Sequence, residues 1–524
     1  MVLAFADAYG IGANDVANAF ATSVSSGSMT LVQAAIIACF TEFLGAVLLG
    51  NMTSETIKSG IVPVDSFVER PELLMTGMLC ALFGSATWVI FASRQGWPVS
   101  TTHSIVGAII GMGFASFGPN TVDWSWNGVG GIIASWFISP VVSGAFTAII
   151  YLIVKYGVLE RKNSVKYGLW AAPIFFFITV TIEVFYIMYK GAPRAAAAKT
   201  LTIGAIVGIA FGIGAFFGIL GIIFVRPWLK RKVVDREDIK WYHVFVIPVL
   251  PKRPTVKDPE TIQQEVSANV DESHQQEATE KTVEEDSKKL DESSLSIHAS
   301  TESQAQGETE APLSIKDRIL NIVLHGLRQD VRNINASHLE DIHAAAVKYD
   351  NDTEYMFSFL QILTAMVFSF AHGSNDVANA VGPLSAVFSI WNTGAVDPDQ
   401  KIPVEIWILV YGGIAIDIGL VTLGYRVMRR MGNNITYMTP TRGFSTELGA
   451  AITILTCSQL GIPISSTHCA TGSTAAVGLC NGNLKSVNWK MLAWCMFAWI
   501  FTLPIAGLIS GLTYAIVTRS PSFY

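Results

Sequence analysis

At 524 residues, with 51% hydrophobic and only 15% charged residues and a mean hydropathy of +0.43, the chain is too apolar for a soluble multidomain enzyme. The net charge of −6 says little about partners, because the acids gather in one segment, and nothing in it points to nucleic acid. Apolar runs near or beyond ~20 residues instead predict an all-α polytopic membrane protein.

The first apolar segment starts at Met1 and carries IGANDVANAF at 11–20. Asn14, Asp15 and Asn18 within it argue for a membrane helix and against a cleavable signal. Further spans are predicted at 31–50, 72–93, 128–154, 168–189 and 199–226. Between the second and third of these lies GWPVSTTHSIVG at 96–107. Residues 255–312 are rich in Glu, Ser, Thr and Gln and cannot bury a core, so they read as a disordered linker. Ile315–Leu327 has apolar positions at helical spacing and reads as an amphipathic helix or a solvated one. The second half then repeats the first: HGSNDVANAV at 372–381 and GIPISSTHCATG at 461–472, with spans at 355–371, 404–425 and 491–517. The expected organisation is a membrane repeat over 1–228, a cytoplasmic linker over 229–354 with a helical part near 315–349, and a second repeat over 355–524. The six cysteines lie in or beside apolar segments without metal-ligand spacing, and read as small core residues.

Loop charge sets the orientation. The linker opens with RPWLKRK (226–232) and belongs inside. Residues 51–71 mix both signs, whereas the matching loop 425–443 carries Arg426, Arg429, Arg430 and Arg442 and no acid. That contrast predicts an inverted-topology repeat with both termini outside.

Polar side chains are expensive in hydrocarbon, so polar words repeated there point to a site at the repeat interface. The GWP and GIP breaks predict two re-entrant helical hairpins. The arms around the second break are about 15 residues, or ~22 Å, each, short of a ~30 Å hydrocarbon core. Pro98 and Pro463 suit the first turn of the new helix. Ser100, Thr101 and Thr102, with Ser465, Ser466 and Thr467, then bring hydroxyls and free N–H groups to a helix N-terminus, the chemistry of an oxyanion site. Asn14 and Asn18 share one helix face, as do Asn375 and Asn379. Asp15 and Asp376 are the repeated acids, and carboxylate and carbonyl oxygens suit a hard cation such as Na⁺, or the acids could take a proton. No Lys or Arg lies within the four words, so bound cations must offset an anion there, making the two kinds of binding mutually dependent. Packing kinks and structural buried acids are the bland alternatives. Glu42 and Glu447 are candidate ion ligands or helix-pairing groups. His103 and His468 read as orienting groups, His372 as a symmetry-breaking tuner of pH response, and Arg94 as a structural partner.

These words resemble the duplicated signature of the inorganic phosphate transporter (PiT) family. SWFISP (135–140), NDVANAVGPLSAV (375–387) and SVNWKMLAWC (486–495) are most similar to fungal sodium/phosphate symporters of the plasma membrane. The resemblance covers both membrane halves. It implies phosphate held by Asn14, Asp15, Ser100, Thr101, Thr102, Asn375, Asp376, Ser465, Ser466 and Thr467. Asn18, Asn379, Glu42, Glu447 and His372 are secondary. Na⁺ would be held by Asp15, Asn18, Asp376 and Asn379. It further implies a homodimer, no cofactor beyond the coupling ion, and no catalytic residue. A proton-coupled phosphate or other oxyanion carrier is the alternative. An intramembrane aspartyl protease would use two acids but leaves the asparagines and hydroxyl-rich breaks unexplained, and a channel would not place acids where they trap ions.

Overall fold

The computed structural model describes the chain except at residues 52, 55–56, 58–59, 127, 192–200, 256–326, 328, 330, 332–338, 397–403 and 521–524. The helix expected over 315–327 and nearly all of the acidic linker therefore lie outside the described residues. Two units are resolved. Met1–Arg226 and Asn321–Tyr524 form one, so both membrane halves share a core; Pro227–Leu320 forms the other.

Among the described residues the first unit has thirteen helices of ten or more residues. In the first half these are α1 (Val2–Asn14), α2 (Val16–Ser25), α3 (Leu31–Leu49), α4 (Pro71–Gln95), α5 (Thr101–Phe117), α6 (Val129–Val154), α7 (Ser164–Tyr186) and α8 (Ile203–Leu220). In the second they are α9 (Asn351–Thr393), α10 (Ile406–Leu423), α11 (Pro440–Gln459), α12 (Ser466–Leu479) and α13 (Trp489–Arg519). Eight helical runs are long and apolar enough to cross a membrane, and they coincide with the eight segments expected from hydropathy. Many outward side chains are large and apolar, such as Phe137, Val141, Ile174 and Ile500. In water such a surface would aggregate; facing lipid it is satisfied.

The halves exchange partners. α1 packs on α10 as α9 packs on α3; α1 packs on α4 as α9 packs on α11. α5 packs on α13 as α12 packs on α6. Glycines set the closest approaches. A Cβ on Gly12 would fall 1.8 Å from the Ile416 carbonyl oxygen, and one on Gly373 2.3 Å from that of Glu42. Only a hydrogen side chain lets those backbones touch. Each contact joins one half to the other, so neither half is a self-contained bundle.

Four features differ from the sequence reading. α11, with 20 residues, is longer than the ~15-residue arm expected before the second break, because Pro440 in its first turn, and not the start of the apolar run, sets where it begins. Pro98 and Pro463 precede the new helices, which begin at Thr101 and Ser466 behind N-caps Ser100 and Ser465; the prolines stiffen the extended tip instead. Arg442 is not a loop charge. It is fully buried, donating from its guanidinium to the Tyr437 and Val347 carbonyls and to Asn481 Oδ1 at 3.0, 2.6 and 2.8 Å, and so anchors the start of α11. α9 also starts at Asn351, where Asp350 caps it by accepting from Thr353 N, four residues ahead of the expected boundary. All six cysteines are free thiols.

Candidate functional site

The hairpin tips are built alike. Gly96 and Gly461 end α4 and α11 with φ of +69° and +70°, the left-handed conformation that glycine adopts without a Cβ clash. The chain then runs extended to the capping serines, whose Oγ atoms accept from His103 N at 3.2 Å and His468 N at 3.3 Å. That leaves each Ser O–H able to donate elsewhere, and opens α5 and α12 toward one another.

The tips meet. Thr102 Oγ1 donates to the Ile464 carbonyl and Thr467 Oγ1 lies at the same 3.2 Å from the Val99 carbonyl. Against them stand the two Asn-Asp helices. Asn14 Nδ2 donates to the Trp97 carbonyl and Ser93 Oγ, and its Oδ1 accepts from Val99 N. Asn375 Nδ2 donates to the Ile464 carbonyl and to Asp376 Oδ1. The crossing bonds run between halves: Asn18 Nδ2 to Thr467 Oγ1 at 2.9 Å, and Asn379 Nδ2 to Thr101 and Thr102 Oγ1 at 3.2 and 3.3 Å. Asp15 accepts from Thr101 Oγ1 at 2.5 Å and from Thr467 Oγ1 of the other hairpin at 2.7 Å. Asp376 accepts from Ser466 Oγ at 2.5 Å. All twelve residues expected to hold phosphate or Na⁺ are at most 2% exposed. One atom each of Asp15, Asp376 and His372 lie within 4.8 Å of one another.

Two buried amide oxygens, Asn18 Oδ1 and Asn375 Oδ1, have no partner among the described residues. A buried acceptor without a donor is costly, and beside two carboxylates it is a ready ligand for a hard cation.

His372, which opens the second Asn-Asp word where the first has Ile11, adds a titratable group. Its Nδ1 is 2.8 Å from Glu42 Oε2, and its Nε2 is 2.8 Å from Asp376 Oδ2, in ion-pair contact rather than an aligned hydrogen bond. Two bare lone pairs that close would repel, so each contact holds a proton, on the imidazole or on the carboxyl. Ser369 Oγ completes the Glu42 shell at 2.8 Å. Glu447 stands apart from this cluster. It accepts from Thr22, Ser23 and Gln361 on one oxygen and Thr364 on the other, at 2.6, 2.6, 3.2 and 2.7 Å. It ties α2, α9 and α11 together. Arg94 is exposed and, among the described residues, forms no ion pair with Glu42; its carbonyl accepts from Arg426.

Below the tips, His103 and His468 are the orienting groups that the sequence suggested. His103 Nδ1 is 3.2 Å from the Trp499 carbonyl and its ring stacks 3.7 Å from Trp136. His468 Nδ1 is 3.0 Å from the Trp136 carbonyl and its ring stacks 3.8 Å from Trp499. The two imidazoles meet edge-on at 4.6 Å. This four-ring joint fixes both hairpins to α6 and α13. Sequence reasoning missed the tryptophans, although both lie in stretches already singled out; carrying the repeat alignment outward would have paired them. It also missed Asp7, buried two turns ahead of Asp15 on α1.

Repeated polar words from both halves, brought into one buried cluster within a lipid-facing bundle, define a multi-pass membrane transporter rather than an enzyme. The phosphate transporter family model matches residues 11–510, and the chain belongs to that family. It is 37% identical to the phosphate-repressible phosphate permease pho-4 of Neurospora crassa, covering 99% of this chain and 97% of that protein. It is 32% identical to the sodium-dependent phosphate transporter 2 of Felis catus, over 96% and 95% of the two chains. A solved structure, the sodium-dependent phosphate transporter, superposes with a TM-score of 0.68 at 28% identity, covering 99% of this chain and 98% of that one.

Proposed function

We propose that this chain imports inorganic phosphate together with Na⁺ by alternating access, as a homodimer in the plasma membrane, with the linker inside and both termini outside. The relatives' names support the substrate and the ion. The observation that carries the site is the mutual reach of Asp15 to hydroxyls of both hairpins. In this reading phosphate is bound by Asn14, Asp15, Ser100, Thr101, Thr102, Asn375, Asp376, Ser465, Ser466 and Thr467. Na⁺ is bound by Asp15, Asn18, Asp376 and Asn379. The two repeats, 1–228 and 355–524, cross the membrane in opposite senses and rock about the shared chamber.

The chemistry follows from charge. HPO₄²⁻ and H₂PO₄⁻ can donate a hydrogen bond to an aspartate, whereas sulfate at neutral pH is only an acceptor and is repelled. Cations on the aspartates and amide oxygens, with protonated His372 behind Asp376, offset the anion in a chamber where unpaired charge is costly. Binding of each ion then favours the other, which is the thermodynamic basis of coupled import.

Uptake of labelled phosphate into proteoliposomes under an imposed Na⁺ gradient tests the reading. Uptake should rise sigmoidally with Na⁺ and be blocked by excess unlabelled phosphate but not by sulfate. Equal uptake with choline in place of Na⁺ removes sodium coupling. The Glu42–His372–Asp376 chain favours a proton-coupled second reading, which predicts uptake driven by an imposed pH gradient instead.

A further inference from the structure

The second unit holds a feature that transport does not use. The helical run Ile203–Val234 passes from a purely apolar stretch into RPWLKRK, and the chain then folds back as a hook over 235–255. Glu237 organises it. Its Oε2 accepts from Arg231 Nε at 2.9 Å and from Arg231 Nη2, and from Arg253 N at 3.1 Å. Arg231 also donates to the Leu250 and Pro251 carbonyls. An isolated bridge joins Glu237 to Thr255, and Trp228 Nε1 donates to the Lys240 carbonyl.

Within the hook a 3₁₀ turn, Trp241–Val246, sorts its side chains. Val244 and Ile247 turn inward with Ile239. Trp241, Phe245 and Val249 point outward at 71%, 73% and 83% exposure, flanked by Tyr242 and Val246. The same segment presents exposed Lys230, Lys240, Lys252 and Arg253 against two exposed acids, Asp235 and Asp238; the third acid, Glu237, is consumed inside. An apolar row with aromatic members in a segment of excess positive charge, a few residues beyond the end of a membrane helix, matches one surface: the headgroup zone of an anionic leaflet. Trp and Tyr settle at that depth, and Lys and Arg meet the lipid phosphates.

We propose that residues 235–255 are a membrane-surface anchor that docks the Trp241–Val249 row into anionic lipid headgroups, fixing where the linker leaves the bilayer. The partner is lipid and not a protein, because the apolar and cationic groups are presented together and the chain connection delivers them to the leaflet.

The test uses the full chain in vesicles. In a background with the six native cysteines replaced, Phe245→Cys carries an environment-sensitive fluorophore. Vesicles are made of neutral lipid alone or with about 30% anionic lipid, each with headgroup-level nitroxide lipid or with aqueous iodide as quencher. In anionic vesicles nitroxide quenching should rise at least about twofold and iodide quenching fall correspondingly, and Lys240→Glu with Lys252→Glu and Arg253→Glu should reverse both. Full iodide access with no nitroxide quenching in either vesicle overturns the proposal. Protection from iodide without nitroxide quenching also overturns it, by showing a protein cover. Because the unmutated charge set is compared between two lipids, the result stands even if charge reversal disturbs the hook, and it does not depend on what the chain transports.

Discussion

The two halves supply the chamber unequally. Gly12 sits on Ile416 where Gly373 sits on Glu42, so the residue before each glycine, Ile11 or His372, meets corresponding positions of α10 and α3. One half has buried, apolar Ile11 and Ile416 at these positions, and the other a buried Glu42–His372 contact running on to Asp376. The hydroxyls, amides and aspartates are matched in position but not in bonding: Asp15 accepts from hydroxyls of both hairpins and Asp376 from that of Ser466. Symmetry builds a cage that two rocking halves can share, and the departure from it sets an imidazole against Asp376 and within reach of Asp15. Glu447 sharpens the point. The four donors that fill its shell come from α2 and α9, and the position matching it on α4 is Leu82.

Breaking the matched part should cost most. Asp15→Asn or Asp376→Asn each removes a charged acceptor from short hydroxyl bonds, and uptake should fall at least about 100-fold while the protein still inserts and folds. Radiolabel uptake with circular dichroism checks both halves of that statement; normal uptake would remove the residue from the mechanism.

The unmatched pair comes next. Glu42→Ile alone leaves His372 buried and charged, and should destabilise by about 3–5 kcal/mol. Glu42→Ile with His372→Ile rebuilds the apolar pairing of the other half and should recover most of that stability without recovering transport. A thermal-unfolding double-mutant cycle in detergent measures the coupling. Additive single effects would mean the pair is not a unit.

The ring joint should respond symmetrically. His103→Phe and His468→Phe keep a ring against tryptophan but lose the bond to the opposite carbonyl, costing about 1 kcal/mol each by the same unfolding assay. A large difference between them would show that the joint serves one hairpin. Deleting 260–310 should leave intrinsic transport unchanged and alter abundance, because the segment is suited to phosphorylation or ubiquitination; loss of vesicle uptake would place it in the transport cycle.

The smallest effect is in the hook. Hydrogen bonds from Arg231 hold the Glu237 carboxyl below the usual carboxylate range. A depressed folded pKa stabilises above the unfolded value, about 4.3 for Glu, and that contribution is lost as pH falls through the folded value. Amide protection over 235–255, taken as exchange relative to the unstructured rate at the same pH, should therefore stay high at neutral pH and fall only in acid.

Much of this was legible beforehand. Eight spans and the four polar words followed from hydropathy and repetition, because a membrane forbids scattered polar groups and makes each exception informative. The meeting of Asn18 with Thr467, and of Asn379 with Thr101, followed in outline from having one copy in each half. What could not be read was which side chains answer each other across the interface. Glu42 and Glu447 looked alike in sequence, as lone acids in apolar helices. One is half of an ion pair, and the other is a neutral-donor clamp, because their partners come from helices far away in the chain. Arg442 looked like a loop charge because its burial depends on Val347 and Asn481, 95 and 39 residues distant.

The central claim is that both halves close on one shared oxyanion. An experimental density map of the protein in saturating phosphate and Na⁺ tests it most directly. A single tetrahedral feature touching hydroxyls of both hairpins, with Asp15 and Asp376 on either side, is the predicted result; phosphate held within one repeat alone would contradict it.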